Sequence, residues 1–234
     1  MRILAFETSA KAAGVALLQD GALLGEYMQN SGQTHSRTIL QMAQDLLKNC
    51  DLTASDVDAV ACAAGPGSFT GVRIGLAAAK GFAWGREIPL IGVSTLEAMA
   101  RTVAVADGIY CAAMDARRNQ VYTAVFRMEN GVFSRLMEDS AIAVEELGQK
   151  LSELDGPQYL VGDGAALCHK ALSEKNARLK LLPEHLRMQR PAGTALLAWE
   201  QLQRGGTIPA ANVVPNYLRL SQAERERLKK TETE

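Results

Sequence analysis

Short apolar runs separated by polar residues open the chain and predict strands. The first run, Arg2–Phe6, ends in Glu7 and indicates a buried strand. Asp20-Gly21 lies between two further apolar stretches, Ala13–Leu18 and Leu23–Met28, and this dipeptide is a strong signal for a hairpin turn. The chain therefore begins with three strands, of which the last two form a hairpin.

Helical periodicity replaces the strand pattern in the next segment. Over Ser36–Asn49 the apolar residues recur every three or four positions, which predicts an amphipathic helix. Two strand–helix pairs follow: Val57–Ala63 with Gly71–Trp84, and Pro89–Val93 with Thr95–Val105. The first half thus has the order β-β-β-α-β-α-β-α.

The same order then starts again. A strand that ends in Asp115 precedes a second hairpin signal, Asn130-Gly131. The predicted elements are Ile109–Met114, Gln120–Met128, Val132–Met137, Val144–Leu154, Gln158–Val161, Ala165–Glu174, Arg178–Leu182 and Ala192–Arg204. The repeated order predicts an α/β fold with two mixed sheets flanked by helices. It resembles the ribonuclease H-like unit that is duplicated in actin-like ATPases, Hsp70 chaperones and sugar kinases.

The repeat also predicts the domain organisation. We expect an N-terminal ribonuclease H-like half over residues 1–105 and a degenerate C-terminal half over residues 106–220. The seam is expected near Val105–Gly108, where Asp107-Gly108 breaks the pattern. Residues 221–234 form a charged tail, for which we expect a solvated helix or disorder.

Composition narrows the classes of function. The 234 residues are 47% hydrophobic and carry a formal net charge of −1, which is typical of a globular protein and lacks the basic excess of a protein that grips nucleic acid alone. The four cysteines form no CxxC pair and are interpreted as buried residues in a reducing compartment. No signal peptide or 18-residue apolar stretch is visible, so we expect a cytoplasmic protein with no membrane contact.

Two acids are the first candidates for chemistry. In doubled folds of this kind, acids that end the first strands, here Glu7 and Asp115, can face each other and hold a metal bound to nucleotide phosphates. The second turn, however, is bulky and basic, with Arg117 and Arg118 and no glycine. We therefore favour the interpretation that the acids are remnants of a nucleotide-binding ancestor.

Other candidate motifs give little support for catalysis. The loop Ala64–Gly71 could place an anion at a helix N-terminus or could be a tight crossover, and the sequence favours neither. Its Ser68 lacks the GxSxG context of a nucleophile. His35, at a helix start, is expected to cap or to be exposed, and the three histidines lie too far apart in sequence to form a metal pair. We predict no catalytic, cofactor-binding or metal-binding residue and no cofactor.

Small residues at every fourth position of the helix Gly71–Trp84 indicate a close helix contact. The contact is either with the chain's own sheet or with a partner's helix. The helix Ser36–Asn49 supports a partner because its apolar arc is wider than one core-facing stripe requires. The predicted interface residues are Ile39, Leu40, Ala43, Leu47, Gly71, Gly75 and Ala79.

Four segments carry a specific resemblance to a known family. They are ILAFETSAKAAGVALLQDG, AAGPGSFTGVRIGLAAAKGFAWGREIPLIGVSTLEAMA, MDARRNQVYTAVF and PNYLRL, and they resemble the TsaB (YeaZ) family. The resemblance covers nearly the whole chain, with Glu7 where many relatives have Asp. It implies an actin-like doubled fold and a role in modifying tRNA beside the anticodon. It also implies a non-catalytic partner of the related enzyme TsaD, which transfers threonylcarbamoyl to adenosine with the ATPase TsaE.

The resemblance to TsaD also implies which chemistry is absent. The metal-binding HxxxH pair of TsaD falls on Thr95 and Met99 here, and neither suits a hard catalytic metal. The adenosine-binding loop of TsaD corresponds to Val161–Ala165, which contains the acid Asp163. We therefore expect a scaffolding or activating subunit that is not itself an enzyme.

The expected partners are TsaD, as a heterodimer, and TsaE. A homodimer is left open when TsaD is absent, and tRNA is expected to bind only through the complex. The alternative is an autonomous enzyme of the same superfamily, either a small kinase or a glycoprotease-like metallopeptidase.

Overall fold

Two five-stranded sheets form the framework of the computed structural model, which describes residues 1–205 and 212–219. The strands are β1 (Arg2–Glu7), β2 (Ala13–Gln19), β3 (Ala22–Gln29), β4 (Ala59–Gly65), β5 (Leu90–Ser94), β6 (Gly108–Asp115), β7 (Gln120–Glu129), β8 (Val132–Ala143), β9 (Gln158–Val161) and β10 (Leu179–Leu181). The helices are α1 (His35–Asn49), α2 (Phe69–Trp84), α3 (Thr95–Val103), α4 (Val144–Ser152), α5 (Ala165–Leu172), α6 (Glu184–Arg187) and α7 (Pro191–Gln203), with a short 3-10 helix at Ala54–Asp56.

Both sheets have the same strand order, which confirms the predicted duplication. The first sheet runs β3-β2-β1-β4-β5 and the second runs β8-β7-β6-β9-β10. In each sheet the opening three strands are antiparallel neighbours and the last two add in parallel. The fold is a duplicated ribonuclease H-like α/β fold with two mixed sheets flanked by helices.

Every predicted strand and helix is present, and the largest difference in length is in β8. This strand continues to Ala143 instead of ending at Met137, because none of its side chains is fully buried and the polar residues after Met137 therefore cost little. The four-residue helix α6 was not predicted, since one turn is too short to show helical periodicity.

Alternate residues of the first sheet face two separate cores. Leu4 and Phe6 point to the face covered by α1 and α2, whereas Ile3 and Ala5 point to the opposite face. All four side chains are fully buried, which explains why β1 is apolar throughout instead of alternating with polar residues.

Each half covers the other half's sheet with its last helix. Met99 and neighbouring residues of α3 pack on the second sheet, although α3 follows the last strand of the first sheet. Conversely, Ala195 and Ala198 of α7 pack on the first sheet. The helix predicted over Ala192–Arg204 thus follows the strands of the second sheet along the chain and buries its apolar face on the first sheet. α3 and α7 also touch, and a Cβ added to Gly193 would lie 2.3 Å from the carbonyl oxygen of Ala98.

The predicted seam lies in the connection between the two sheets, because β5 belongs to the first sheet and β6 to the second. The predicted charged tail, residues 221–234, lies outside the described residues. None of the helices within residues 1–205 and 212–219 is long and apolar enough to cross a membrane. Cys62, Cys111 and Cys168 are buried free thiols, and burial raises the pKa of Cys62 and Cys111 to about 12.

Candidate functional site

A cleft of about 520 Å³ opens between the two halves, where the turn between β1 and β2 meets the turn between β6 and β7. From here on, the first hairpin is β1–β2 and the second hairpin is β6–β7. The walls of the cleft are the two hairpin turns at residues 9–11 and 114–117, the loop at residues 66–70, Asp163 and the segment at residues 216–219. Sequence motifs that lie far apart along the chain therefore line a single cavity.

Of the two strand-end acids, Glu7 does not line the cleft. Its carboxylate is 1% exposed, and Oε1 accepts hydrogen bonds from the backbone N of Ser9 at 2.7 Å and from Ser9 Oγ at 2.5 Å. Burial raises the pKa of Glu7, against the lowering effect of these bonds and of nearby Thr194 and His35. Glu7 is therefore a buried structural group, and a facing pair of cleft acids is not formed.

Asp115 does line the cleft and is exposed. Its Oδ1 accepts a hydrogen bond of 2.7 Å from the backbone N of Arg117, which closes the turn of the second hairpin. Arg117 and Arg118 are both exposed, and Arg117 lines the cleft. The second hairpin thus presents the carboxylate of Asp115 and the guanidinium group of Arg117 at the cleft, with the exposed Arg118 next to them in the chain.

The glycine-rich loop is held directly against the first hairpin. The backbone N of Ser68 donates to the carbonyl oxygen of Ser9 at 2.6 Å, and Ser68 Oγ accepts from the backbone N of Gly71 at 3.2 Å. Thr8 Oγ1 donates to the carbonyl oxygen of Gly71 at 2.7 Å. Because hairpin and cap residues take these groups, the geometry supports a tight crossover rather than an anion site at the start of α2.

The loop Gly162-Asp163-Gly164 packs just as closely on the second hairpin. The backbone N of Gly164 donates to the carbonyl oxygen of Ala113 at 3.0 Å, and a Cβ on Gly162 would lie 2.1 Å from that same oxygen. Asp163 projects into the cleft, where desolvation raises the pKa of its carboxyl group against a 3.3 Å hydrogen bond from Gln189 Nε2. The cleft therefore contains two carboxylates, Asp115 and Asp163.

A C-terminal strap, residues 212–219, crosses the cleft and was not anticipated as part of a site. The backbone N of Asn216 donates to the carbonyl oxygen of Ala64 at 2.7 Å, which ties the strap to the end of β4. Tyr217 stacks on Phe69 with ring centroids 4.6 Å apart, and Arg219 Nη1 donates to the carbonyl oxygen of Ala116 at 2.9 Å. The strap therefore bonds to both halves. The first five residues of the motif PNYLRL, residues 215–219, lie in it, but no periodicity reveals where such an irregular segment packs.

The structure separates the seven predicted interface residues into two groups. Only Leu40 is exposed, with 56% of its surface accessible. The other six are buried in the N-terminal half: Ile39, Ala43, Leu47, Gly71, Gly75 and Ala79. A Cβ on Gly75 would lie 2.3 Å from Thr8 Oγ1, so the small-residue ridge packs against the chain's own hairpin. The exposed face of α2 is instead formed by Arg73, Ala77, Gly81 and Trp84.

The two positions that the resemblance assigns to the metal ligands of TsaD lie inside the protein. Thr95 is 0% and Met99 2% exposed, and Met99 packs in the apolar core between α3 and the second sheet. His35 neither caps a helix nor is fully exposed: it is half-buried, with Nε2 2.8 Å from the carbonyl oxygen of Ala10. Within the described residues, no group of three or more His, Cys, Asp or Glu side chains could hold a metal ion.

Sequence comparison identifies the relatives of this chain. The family model "TsaD: tRNA N6-adenosine threonylcarbamoyltransferase" matches residues 27–227. The tRNA threonylcarbamoyladenosine biosynthesis protein TsaB of Bacillus subtilis is 35% identical over 231 residues, which cover 96% of each chain. The protein of the same name from Escherichia coli is 35% identical and covers 94% of this chain and 95% of the relative.

Structural comparison agrees with these matches. The structure of YeaZ from Pseudomonas aeruginosa superimposes with a TM-score of 0.73 at 26% identity and covers 93% of this chain and 99% of that one. A second Pseudomonas aeruginosa structure, described as an uncharacterized protein with similarity to peptidase YEAZ, gives a TM-score of 0.76 at the same identity and coverage. On these similarities and on its duplicated fold, the chain belongs to the TsaB (YeaZ) family.

Proposed function

We propose that this chain is a non-catalytic subunit that pairs with TsaD, and acts with TsaE, in the formation of threonylcarbamoyladenosine in tRNA in the cytoplasm. The names of its relatives support a role in this pathway. The finer assignment, a scaffold or activator rather than an enzyme, is supported by the chemistry of the described residues.

The observation that carries this proposal is the burial of the two aligned metal positions and of Glu7. Thr95 and Met99 stand at the aligned metal positions and are core residues. Glu7 is buried and accepts hydrogen bonds from Ser9. In the glycine-rich loop the backbone N of Ser68 donates to the first hairpin and the backbone N of Gly71 donates to Ser68 Oγ. A kinase or metallopeptidase would need such groups to face the cleft.

The purified chain is therefore expected to show no ATP hydrolysis, no peptidase activity and no threonylcarbamoyl transfer when it is assayed alone. Reconstitution of tRNA modification from TsaD and TsaE, with and without this chain, measures its contribution. We expect modification only when the chain is added. Metal-dependent turnover by the isolated chain would show that the alternative, an autonomous enzyme, is correct.

The surface that we propose for TsaD comprises the exposed faces of α1 and α2. Leu40 supplies exposed apolar area on α1, and Trp84, 81% exposed, does so on α2. Ala77 and Gly81 are exposed on α2 and have no large side chain, so another helix can approach α2 closely there. Nothing lies within 4 Å of a Cβ built on Gly81. The six buried interface candidates lie on the inner faces of the same two helices.

Replacing Leu40 with aspartate tests the proposed surface. An unpaired carboxylate in an apolar contact is expected to weaken TsaD binding at least about tenfold, which corresponds to about 1.4 kcal/mol. Leu136→Asp is the matched control, because Leu136 is 42% exposed on β8, in the other sheet. Binding is measured by calorimetry. Equal affinities of the two variants would place the interface elsewhere.

A further inference from the structure

Three exposed cations at the mouth of the cleft have no ion-pair partner in the part of the chain that the structure describes. They are Lys11 in the first hairpin turn and Arg117 and Arg118 in the second, and we call them the cleft rim. Five other arginines of the described residues are paired with carboxylates: Arg2, Arg101, Arg135, Arg178 and Arg190. The positive charge of the cleft rim is thus not compensated by an ion pair within the described residues, on a chain whose net charge is −1.

The backbone of the second hairpin holds two of these cations outward. Arg117, Arg118 and Asn119 have φ values of 63°, 55° and 57°, three successive left-handed residues without a glycine. Such a conformation costs about 1–2 kcal/mol per residue. Three hydrogen bonds hold this turn. The backbone N of Arg117 donates to Asp115, and Arg219 donates to the carbonyl oxygen of Ala116. Asn119 Nδ2 donates to Glu145 Oε1 at 2.8 Å.

The hydrogen bonds around this turn use one oxygen of Asp115 and one oxygen of Glu145 in α4, and they leave the guanidinium groups of the turn unbonded. Asp115 accepts from a backbone N, and Glu145 accepts from an asparagine amide. No hydrogen bond or ion pair is formed by the side chains of Arg117 and Arg118 within the described residues. Arginine side chains without a protein partner, at a fixed spacing on a rigid turn, are suited to phosphate oxygens.

The location of the carboxylates decides between two kinds of phosphate ligand. Asp115 and Asp163 line the cleft interior, so a small polyphosphate seated there would face two negative charges. A phosphate backbone that passes over the rim contacts the cations and stays clear of the interior. The charge pattern therefore favours a nucleic-acid strand on the rim over a nucleotide within the cleft.

We propose that Lys11, Arg117 and Arg118 bind the sugar–phosphate backbone of the RNA substrate when this chain is part of its complex. This inference rests on the proposed function, in which the complex acts on tRNA. Three phosphate contacts are too few for tight binding by the chain alone, in agreement with its near-neutral charge. They add affinity and orientation to whatever surface the partner supplies.

The test compares tRNA binding by the complex of TsaD with the wild-type chain and with the triple variant Lys11→Gln, Arg117→Gln, Arg118→Gln. Glutamine keeps a long polar side chain and is no more strained than arginine at positive φ. The variant complex is expected to bind tRNA about tenfold or more weakly at physiological salt. The slope of log K against log salt concentration should become shallower by about 2 to 3, one for each phosphate that the variant no longer neutralises.

A control variant removes an equal type of charge from another surface. Lys170→Gln, Lys175→Gln changes two exposed lysines in and just after α5, remote from the cleft lining, and is expected to leave both affinity and slope unchanged. If the triple variant does not fold, the single variant Arg118→Glu replaces it in the tRNA titration. This variant is expected to fold, because the Arg118 side chain makes no hydrogen bond or ion pair within the described chain. Unchanged tRNA binding by the folded rim variant would overturn the proposal.

Two further measurements separate the possible causes of failure. ATP binding to the isolated chain is titrated by calorimetry, and its loss in the rim variant with tRNA binding unchanged would assign the rim to a nucleotide and overturn the proposal. The dependence of modification on the wild-type chain tests the proposed function separately. If no complex forms, the tRNA titration is repeated with the isolated chains at low salt. Equal slopes of log K against log salt concentration for wild type and variant would then overturn the proposal.

Discussion

Replacing Gly71 with alanine is expected to destabilise the protein by about 2–3 kcal/mol, the range of a core overpacking that the surroundings cannot relieve. A Cβ at this position would lie 2.1 Å from the carbonyl oxygen of Thr8, a backbone atom fixed by the first hairpin. Alanine is otherwise the preferred residue in a helix, so the effect isolates the steric contact between α2 and this hairpin. The free energy of unfolding is measured by urea titration.

Gly81→Ala is the matched control on the same helix. Nothing lies within 4 Å of a Cβ at this position, so the gain in helix propensity should stabilise the protein by about 0.5–1 kcal/mol. The same substitution is thus expected to have opposite signs ten residues apart. Destabilisation of similar size at both positions would mean that Gly71 does not face Thr8.

The second large effect is expected for Glu7→Gln, which should stabilise the protein at neutral pH and leave its stability almost unchanged near pH 4. Burial raises the pKa of Glu7 in the folded state above its ordinary value of 4.5, so the folded protein binds this proton more tightly than the unfolded chain does. The stability that the proton provides is complete below pH 4.5 and is lost as pH rises through the folded-state pKa. Each increase of one in the folded-state pKa lowers the free energy of unfolding at neutral pH by about 1.4 kcal/mol.

Glutamine can reproduce the hydrogen bonds of the protonated acid. Its amide oxygen accepts from Ser9 as Oε1 does now, and its NH₂ group can donate to Oγ1 of the buried Thr194, which lies beside the carboxylate. We expect the variant to have a higher free energy of unfolding than wild type at pH 7. Urea titrations of wild type and variant from pH 4 to pH 8 measure this difference, from which the other carboxyl groups cancel. A difference that does not change with pH would show that Glu7 has an ordinary pKa.

The strands and helices could be predicted because each presents its own local pattern. The hairpin at Asp20-Gly21, the helical arc of α1 and the repeat of the element order needed no long-range information. The pattern of a helix, however, shows only that one face is covered and not which sheet covers it. For this reason the exchange of α3 and α7 between the halves could not be predicted.

The candidate site shows the same division. Asp115, Arg117 and Asp163 were singled out from the sequence, and the structure places all three at the cleft. The inward position of Glu7 could not be foreseen, because β1 is apolar on both faces and gives no alternation from which to assign its last residue. Leu40 was predicted with six core residues because a wide apolar arc contains both core and surface positions, and only the packed sheet distinguishes them.

The packing of α7 on the first sheet also affects how the protein folds while it is being synthesised. The first sheet is complete once residue 94 has been synthesised, but one of its faces stays exposed to water until α7, residues 191–203, has left the exit tunnel. At about 5–20 residues per second this delay lasts some 5–20 seconds. During that time Ile3, Ala5 and their neighbours form an exposed apolar surface on a tethered chain, which is a substrate for chaperones that act on nascent proteins. A circular permutant whose chain begins at α7 would place this helix ahead of β1 and remove the delay.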